Sequence, residues 1–235
     1  MTVKKELDDK VEKLSEQIAE QVDIQRLLSK CNGGFPCRYM LPYSSDTEFD
    51  SFVAPMRKIK IAIARDAAFN FTYRENIASL KRIGEITYFS PVYGSDLPEA
   101  DLVYLPGGFP ELFARQVHRR RKLMDDLKAF AEKGGKILAE GGGTVLLGKS
   151  LTTRQGGTAY SMSGILPYDF ELINNRLQTK YRKYTMADVE LKGHEYRYFQ
   201  LPNGVATDSI VRYKNVIACF GHLYWGETEL LKWWD

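Results

Sequence analysis

Four short apolar runs, at 59–64, 86–89, 102–105 and 137–139, are separated by stretches of helical periodicity, and this alternation constrains the fold more than any other feature. The helical stretches lie at 75–83, 111–116, 123–133 and 144–148, with Gly134-Gly135 stopping the third. Strands that each feed a helix cannot close as hairpins. They return in the same direction and form a mainly parallel α/β sheet with helices on both faces. Beyond about residue 151 the pattern changes. Segments 196–201, 209–213 and 216–224 are β-rich with short connections, so the C-terminal part is expected to be more antiparallel.

Ahead of the first run, Leu7, Val11, Leu14, Ile18 and Val22 recur every three or four residues and predict an amphipathic helix over 4–30. Residues 31–57, broken by Gly33, Gly34, Pro36, Pro42 and Pro55, read as a linker. The expected division is therefore 1–57 and 58–235. Hydrophobic residues make up 44% of the chain, enough for a sizeable core. The net charge of +3, from 33 basic and 30 acidic residues, is too small to argue for nucleic acid. The one dense basic run, His118 to Lys122, reads as a solvated helix start. Three cysteines (Cys31, Cys37, Cys219) are too few and too odd in number for a disulfide framework, which suggests a reducing, cytoplasmic setting. Three histidines (His118, His194, His222) show no zinc spacing beside them, so no metal site is expected. No run of about eighteen apolar residues offers a membrane span. The polar first ten residues are no signal peptide.

In a parallel sheet, chemistry gathers where strands end and helices begin. Three segments fall on such places. Ala139-Glu140-Gly141-Gly142-Gly143 has the layout of a nucleophile elbow, a sharp strand-to-helix turn with small neighbours. Leu105 to Glu111 carries Gly107-Gly108 at another strand end, where backbone N–H groups can approach a ligand. Cys219 to Trp225 carries His222, in a position to serve as a general base. Each has a plainer reading as well: a glycine-rich turn, a tight turn into a helix, and a hydrogen-bonded structural histidine.

Taken in order, these segments resemble the C-terminal glutamine amidotransferase domain of the cobyrinic acid a,c-diamide synthase family. The similarity is carried by Ile61 to Ile77 with its Arg-Asp-x-Ala-Phe-Asn-Phe core, by Tyr104 to Phe113, and by the elbow at 139–143. Gly164 to Pro167, Gly193-His194-Glu195 and Asn215 to Ala218 continue it into the block that holds His222. The resemblance implies a flavodoxin-like, class I, triad-type domain that releases ammonia from glutamine. It implies that a nucleophile belongs at position 141, that His222 is the general base, and that the N–H groups of Gly108 and Gly142 hold the oxyanion. In such a pair the histidine and the Gly141 Cα are expected about one side chain apart.

This chain departs from the family in three ways. Position 141 is glycine, which has no atom to form a covalent intermediate. No G-x-x-x-x-G-K-[ST] loop occurs, so the synthetase domain is missing and 1–57 is expected to be its remnant. Cofactors are then expected to be none in this chain, with ATP and magnesium confined to that domain. A split gene, a degenerate remnant and a shortened piece all fit. Third, many triad members carry glutamate two residues after the histidine, where this chain has Tyr224; Glu195 becomes the candidate orienting carboxylate. Glutamine and cobyrinic acid are the implied ligands, and Arg65, Asn70, Tyr73 and Arg74 form a loop suited to a many-carboxylate substrate. The alternative is a non-catalytic module that binds a tetrapyrrole or a partner. That partner is either a separate synthetase subunit or a second copy in a homodimer; neither nucleic acid nor a membrane is expected.

Overall fold

The computed structural model describes residues 11–17, 20, 21, 23, 26, 58–94, 96–153, 157–172, 178–201 and 210–235. The chain divides into two units, Met1–Ala54 and Pro55–Asp235. In the first, residues 11–17 are helical, and Val11 and Leu14 are more than half exposed. Leu7, Ile18, Val22 and the stretch read as a linker lie outside the described residues.

The second unit begins with β1 (Ile59–Ala64), α1 (Arg74–Ile83), β2 (Gly84–Phe89) and β3 (Leu102–Leu105). A 3-10 turn (Pro110–Phe113), α2 (Ala114–Arg119), α3 (Arg121–Glu132), β4 (Lys136–Glu140) and α4 (Gly142–Leu147) follow. Eight short strands come next: β5 (Ser150–Thr152), β6 (Ala159–Ser161), β7 (Asp169–Glu171), β8 (Gln178–Met186), β9 (Val189–Arg197), β10 (Ile210–Tyr213), β11 (Val216–Cys219) and β12 (Gly221–Tyr224). A second 3-10 turn, Leu230–Trp234, ends the described chain.

The four runs read from the sequence lie side by side in one sheet of order β10-β11-β4-β3-β1-β2. All neighbours are parallel except the edge pair β10–β11. The parallel part follows the flavodoxin-like order, with β11 as fifth strand. Strands β3, β4 and β11 are almost wholly buried on both faces, which is why they read as unbroken apolar runs. Their side chains alternate between two cores. Ala62, Val103, Leu105, Ala139 and Ala218 meet α2, α3 and α4, whereas Ile61, Ile63, Leu102, Leu138 and Ile217 meet α1 and the second sheet. That second sheet, β12-β9-β8, is antiparallel, and β6-β5-β7 forms a third.

Helices lie on both faces as expected, three on one side and α1 on the other, where an antiparallel sheet joins it. One sequence expectation changes. The single β segment 216–224 is two strands in different sheets, broken at Phe220. β11 completes the parallel sheet and β12 leaves it, a change of partner that local apolar pattern does not encode. The stop after α3 is a Schellman arrangement: Gly135 N donates to Phe130 O at 2.9 Å and Gly134 N to Ala131 O at 3.0 Å, with Gly134 at φ 84°.

Candidate active site

The turn after β4 has the shape its glycines suggest. Gly141 is the N-cap of α4, with φ 49° and ψ −114°, a conformation that strains any residue with a side chain. Its N–H donates to Cys219 O at 3.0 Å, and the Thr144 hydroxyl donates to the same carbonyl at 2.6 Å, pinning the elbow to the end of β11. Gly142 and Gly143 are required by close packing. A Cβ at Gly143 would lie 2.1 Å from Leu105 O, and one at Gly142 would lie 2.7 Å from Gly108 O. The two glycine turns, after β3 and after β4, therefore touch. Gly142 is the first residue of α4, where helical N–H groups lack an intrahelical acceptor.

The break at Phe220 turns β12 across these turns and delivers His222. The imidazole is 3% exposed and lies between Gly107 and Gly141. A Cβ on Gly107 would lie 2.0 Å from His222 Cε1, so the imidazole can hold this position only beside glycine. A Cβ on Gly141 would lie 2.6 Å from the same atom. The expected gap of one side chain is thus absent: the ring itself fills the space beside Gly141. Phe71 packs on the ring at 4.3 Å between centroids. Burial pushes the imidazole down to a pKa of about 4, helped by nearby His194, so it is uncharged at neutral pH. Its Nδ1 is buried without a hydrogen-bond partner. Phe71, Gly108, Phe109, His194, Tyr196 and His222 enclose a cavity of about 260 Å³.

Of the residues singled out in the sequence, Gly141, Gly142, Gly108 and His222 come together. Glu195 does not join them, and its reading as the orienting carboxylate is corrected. In the β12–β9 ladder His222 pairs with His194 and Gly221 with Glu195, so the Glu195 side chain leaves β9 on the face opposite His194. There it accepts from Arg182 Nε at 2.7 Å and Arg197 Nε at 2.6 Å. The buried carboxyl nearest the elbow is Glu140, 1% exposed, a residue of the elbow segment to which the sequence assigned no role. Trp225 Nε1 donates to it at 2.8 Å and the Tyr104 hydroxyl at 3.2 Å. Burial raises its pKa to about 8 despite these donors, so it holds a proton at neutral pH.

The loop after β1 is divided. Arg65, Asn70 and Arg74 line a second cavity with Thr72 and Lys81, whereas Tyr73 packs against Phe71 and Tyr224. Phe71 N donates to Gly107 O at 3.0 Å and Phe109 N to Ala68 O at 2.9 Å, stitching this loop to the glycine turn beside His222. Phe71, Gly107 and His194 all fall in segments singled out in the sequence, but their places beside His222 were not legible there because these partners are remote in the chain. Among the described residues, no helix is long and apolar enough to cross a membrane.

Comparison with known proteins matches residues 60–229 to a family model described as a CobB/CobQ-like glutamine amidotransferase domain. The chain is similar to the cobyrinate a,c-diamide synthase of Picrophilus torridus, 33% identical over 239 residues that cover 92% of this chain and 50% of that protein. It is also similar to the cobyrinate a,c-diamide synthase of Listeria innocua, 34% identical over 209 residues, 82% of this chain and 43% of that one. It spans about half the length of the curated relatives it matches. The solved structure of a glutamine amidotransferase aligns over 69% of this chain and 89% of its own, at 17% identity and a TM-score of 0.47.

Proposed function

This chain belongs to the CobB/CobQ-like glutamine amidotransferase family, and on that premise we propose that it is the glutaminase half of a cobyrinate a,c-diamide synthase in cobalamin biosynthesis, without its nucleophile. In a relative with cysteine at this elbow, the thiolate attacks the amide carbon of glutamine. Backbone N–H groups at positions 108 and 142 stabilise the oxyanion, and the histidine gives a proton to the leaving ammonia. Water then cleaves the thioester to glutamate. The ammonia serves an ATP- and magnesium-dependent synthetase that activates and amidates the a and c carboxylates of cobyrinate. In this chain the first step has no attacking atom at position 141.

The observation that carries the reading is the Gly141 backbone, at φ 49° and ψ −114° on a strand-to-helix turn, with His222 packed against it. The test is ammonia release from glutamine. We expect turnover indistinguishable from background, since loss of a nucleophile costs on the order of a millionfold in other hydrolases. Gly141→Cys is expected to gain labelling at residue 141 by a glutamine-analogue electrophile, and Gly141→Cys with His222→Ala to lose it. Ordinary glutaminase rates from the Gly141 chain would overturn the assignment.

One observation favours a second reading, a non-catalytic module that binds a tetrapyrrole or pairs with a separate ATP-dependent synthetase chain. The imidazole already occupies the space beside Gly141, and the cavity it faces is walled by Phe71, Phe109 and Tyr196. Reconstitution with a synthetase chain supplied with free ammonia separates the two. A partner role predicts that this chain raises the ammonia-dependent rate.

A further inference from the structure

We propose that the cavity at the C-terminal end of β1 is a separate binding site for a ligand carrying two or more oxyanion groups. It has a volume of about 350 Å³, and Ala64 and Pro106, which end β1 and follow β3, both line it. The strand order reverses between β1 and β3, and in open α/β sheets such a point is where ligands bind. Its polar wall carries three cations, Arg65, Arg74 and Lys81, together with Asn70, over a floor that includes Ile63 and Ile77. No Asp or Glu lines it.

The cations are aimed by the fold. Arg74, Ile77 and Lys81 stand at i, i+3 and i+7 of α1, so they share one face. The Arg65 guanidinium lies over the Tyr88 ring, 5.1 Å from its centroid, which fixes its direction. Asp66 is the acid beside Arg65 in sequence, but its carboxylate is committed to the loop. It accepts from the backbone of Ala68 at 2.8 Å, Phe69 at 3.1 Å and Val92 at 2.9 Å, and from the Ser90 hydroxyl at 2.7 Å. The loop's own acid is thus spent on its backbone and on Ser90, while Arg65 from the loop and Lys81 from α1 line the cavity. Positive charge converging over an apolar floor attracts oxyanions, and guanidinium forks take carboxylates and phosphates alike.

Isothermal titration of the full chain at low salt, with pyrophosphate and separately with propane-1,2,3-tricarboxylate, tests the proposal. At least one of the two binds, and Arg65→Ala and Lys81→Ala each weaken it about tenfold or more. Both side chains are exposed, so neither substitution removes core packing. Arg119→Ala, on exposed α2 surface, leaves the affinity unchanged. His222→Ala also retains binding, because His222 is not part of this wall, so the outcome is independent of the glutaminase assay. Preference for pyrophosphate assigns a phosphate-type ligand, and preference for the tricarboxylate assigns a carboxylate-type one. Failure of both probes to bind at millimolar concentration overturns the site, as does equal affinity in Arg65→Ala and Lys81→Ala.

Discussion

Two buried titratable groups flank position 141, and their pKa values move in opposite directions for the same reason. Desolvation disfavours the charged form, so Glu140 rises to about 8 and His222 falls to about 4. Between pH 4.5 and 8 the folded chain holds the Glu140 proton and the unfolded chain does not, so this group makes stability fall as pH rises. Between pH 4 and 6.5 the unfolded chain protonates His222 and the folded chain does not, so stability falls as pH drops. The two effects oppose each other below pH 6.5. Of the two only Glu140 acts above it, joined up to about pH 7 by Glu111, whose carboxyl burial raises to about 7. From pH 6.5 to 8 we expect denaturant unfolding to report a loss of roughly 1 kcal/mol per pH unit. Glu140→Gln keeps position 140 neutral at every pH and should flatten that slope relative to the parent. An equal slope in both proteins would mean that Glu140 is ionised in the fold. His222→Phe should separately remove the opposing effect, so that between pH 6.5 and 4.5 the variant gains stability on acidification relative to the parent.

Among the elements, the β8–β9 hairpin carries the backbone most at odds with its sequence. Met186 pairs with Val189, which leaves a two-residue turn of Ala187 and Asp188, at φ 44° and 63°. Two positive φ values in a two-residue hairpin define a type I′ turn, which matches the twist of the strands and favours Asn-Gly. Alanine in this region clashes with its own carbonyl and lacks the local hydrogen bonding that lets asparagine adopt it. Ala187→Asn with Asp188→Gly should therefore stabilise the domain by about 1 kcal/mol and raise Tm by roughly 2–4 °C. Calorimetry of the double variant checks this, and an unchanged or lower Tm would count against the turn type. The hairpin matters to the site because β9 carries His194 and pairs with β12, which carries His222.

For the second unit as a whole, the parallel sheet has a centre and two edges of different protection. β3, β4 and β11 are buried on both faces and paired on both sides, whereas β2 is an edge strand with Glu85, Thr87 and Tyr88 exposed. Backbone amides of the central strands can exchange only when the sheet opens globally, while edge amides exchange through local opening. Hydrogen–deuterium exchange with mass spectrometry should find 102–105 and 136–140 slowest and 84–89 markedly faster. Equal protection in β2 and β3 would argue that this edge is covered. The Gly141–His222 cleft lies at the ends of the slow strands, a rigid base on which to hold its glycine turns.

The sequence alone determined the parallel sheet and the position of the elbow. Both depend on local information: apolar runs long enough to cross a buried layer, and glycines where the chain must turn without a Cβ. The alternation of runs at 59–64, 102–105 and 137–139 with helices is enough to place Gly108 and Gly141 at strand ends. The family motif likewise marked position 141 as a site with no reactive atom. Tertiary structure decided what lies next to what. Glu195 stands beside His194 in the chain, yet the two-residue period of β9 sends it to the other face and into the hands of Arg182 and Arg197. Nothing in its local sequence distinguishes Glu140, and only the arrival of Trp225 and Tyr104 from distant segments makes it a buried, protonated carboxyl. The break at Phe220, which sends β11 and β12 to different sheets, brings His222 against Gly141. Such partnerships are set by packing between segments tens of residues apart, and no window of local sequence contains both sides of the contact.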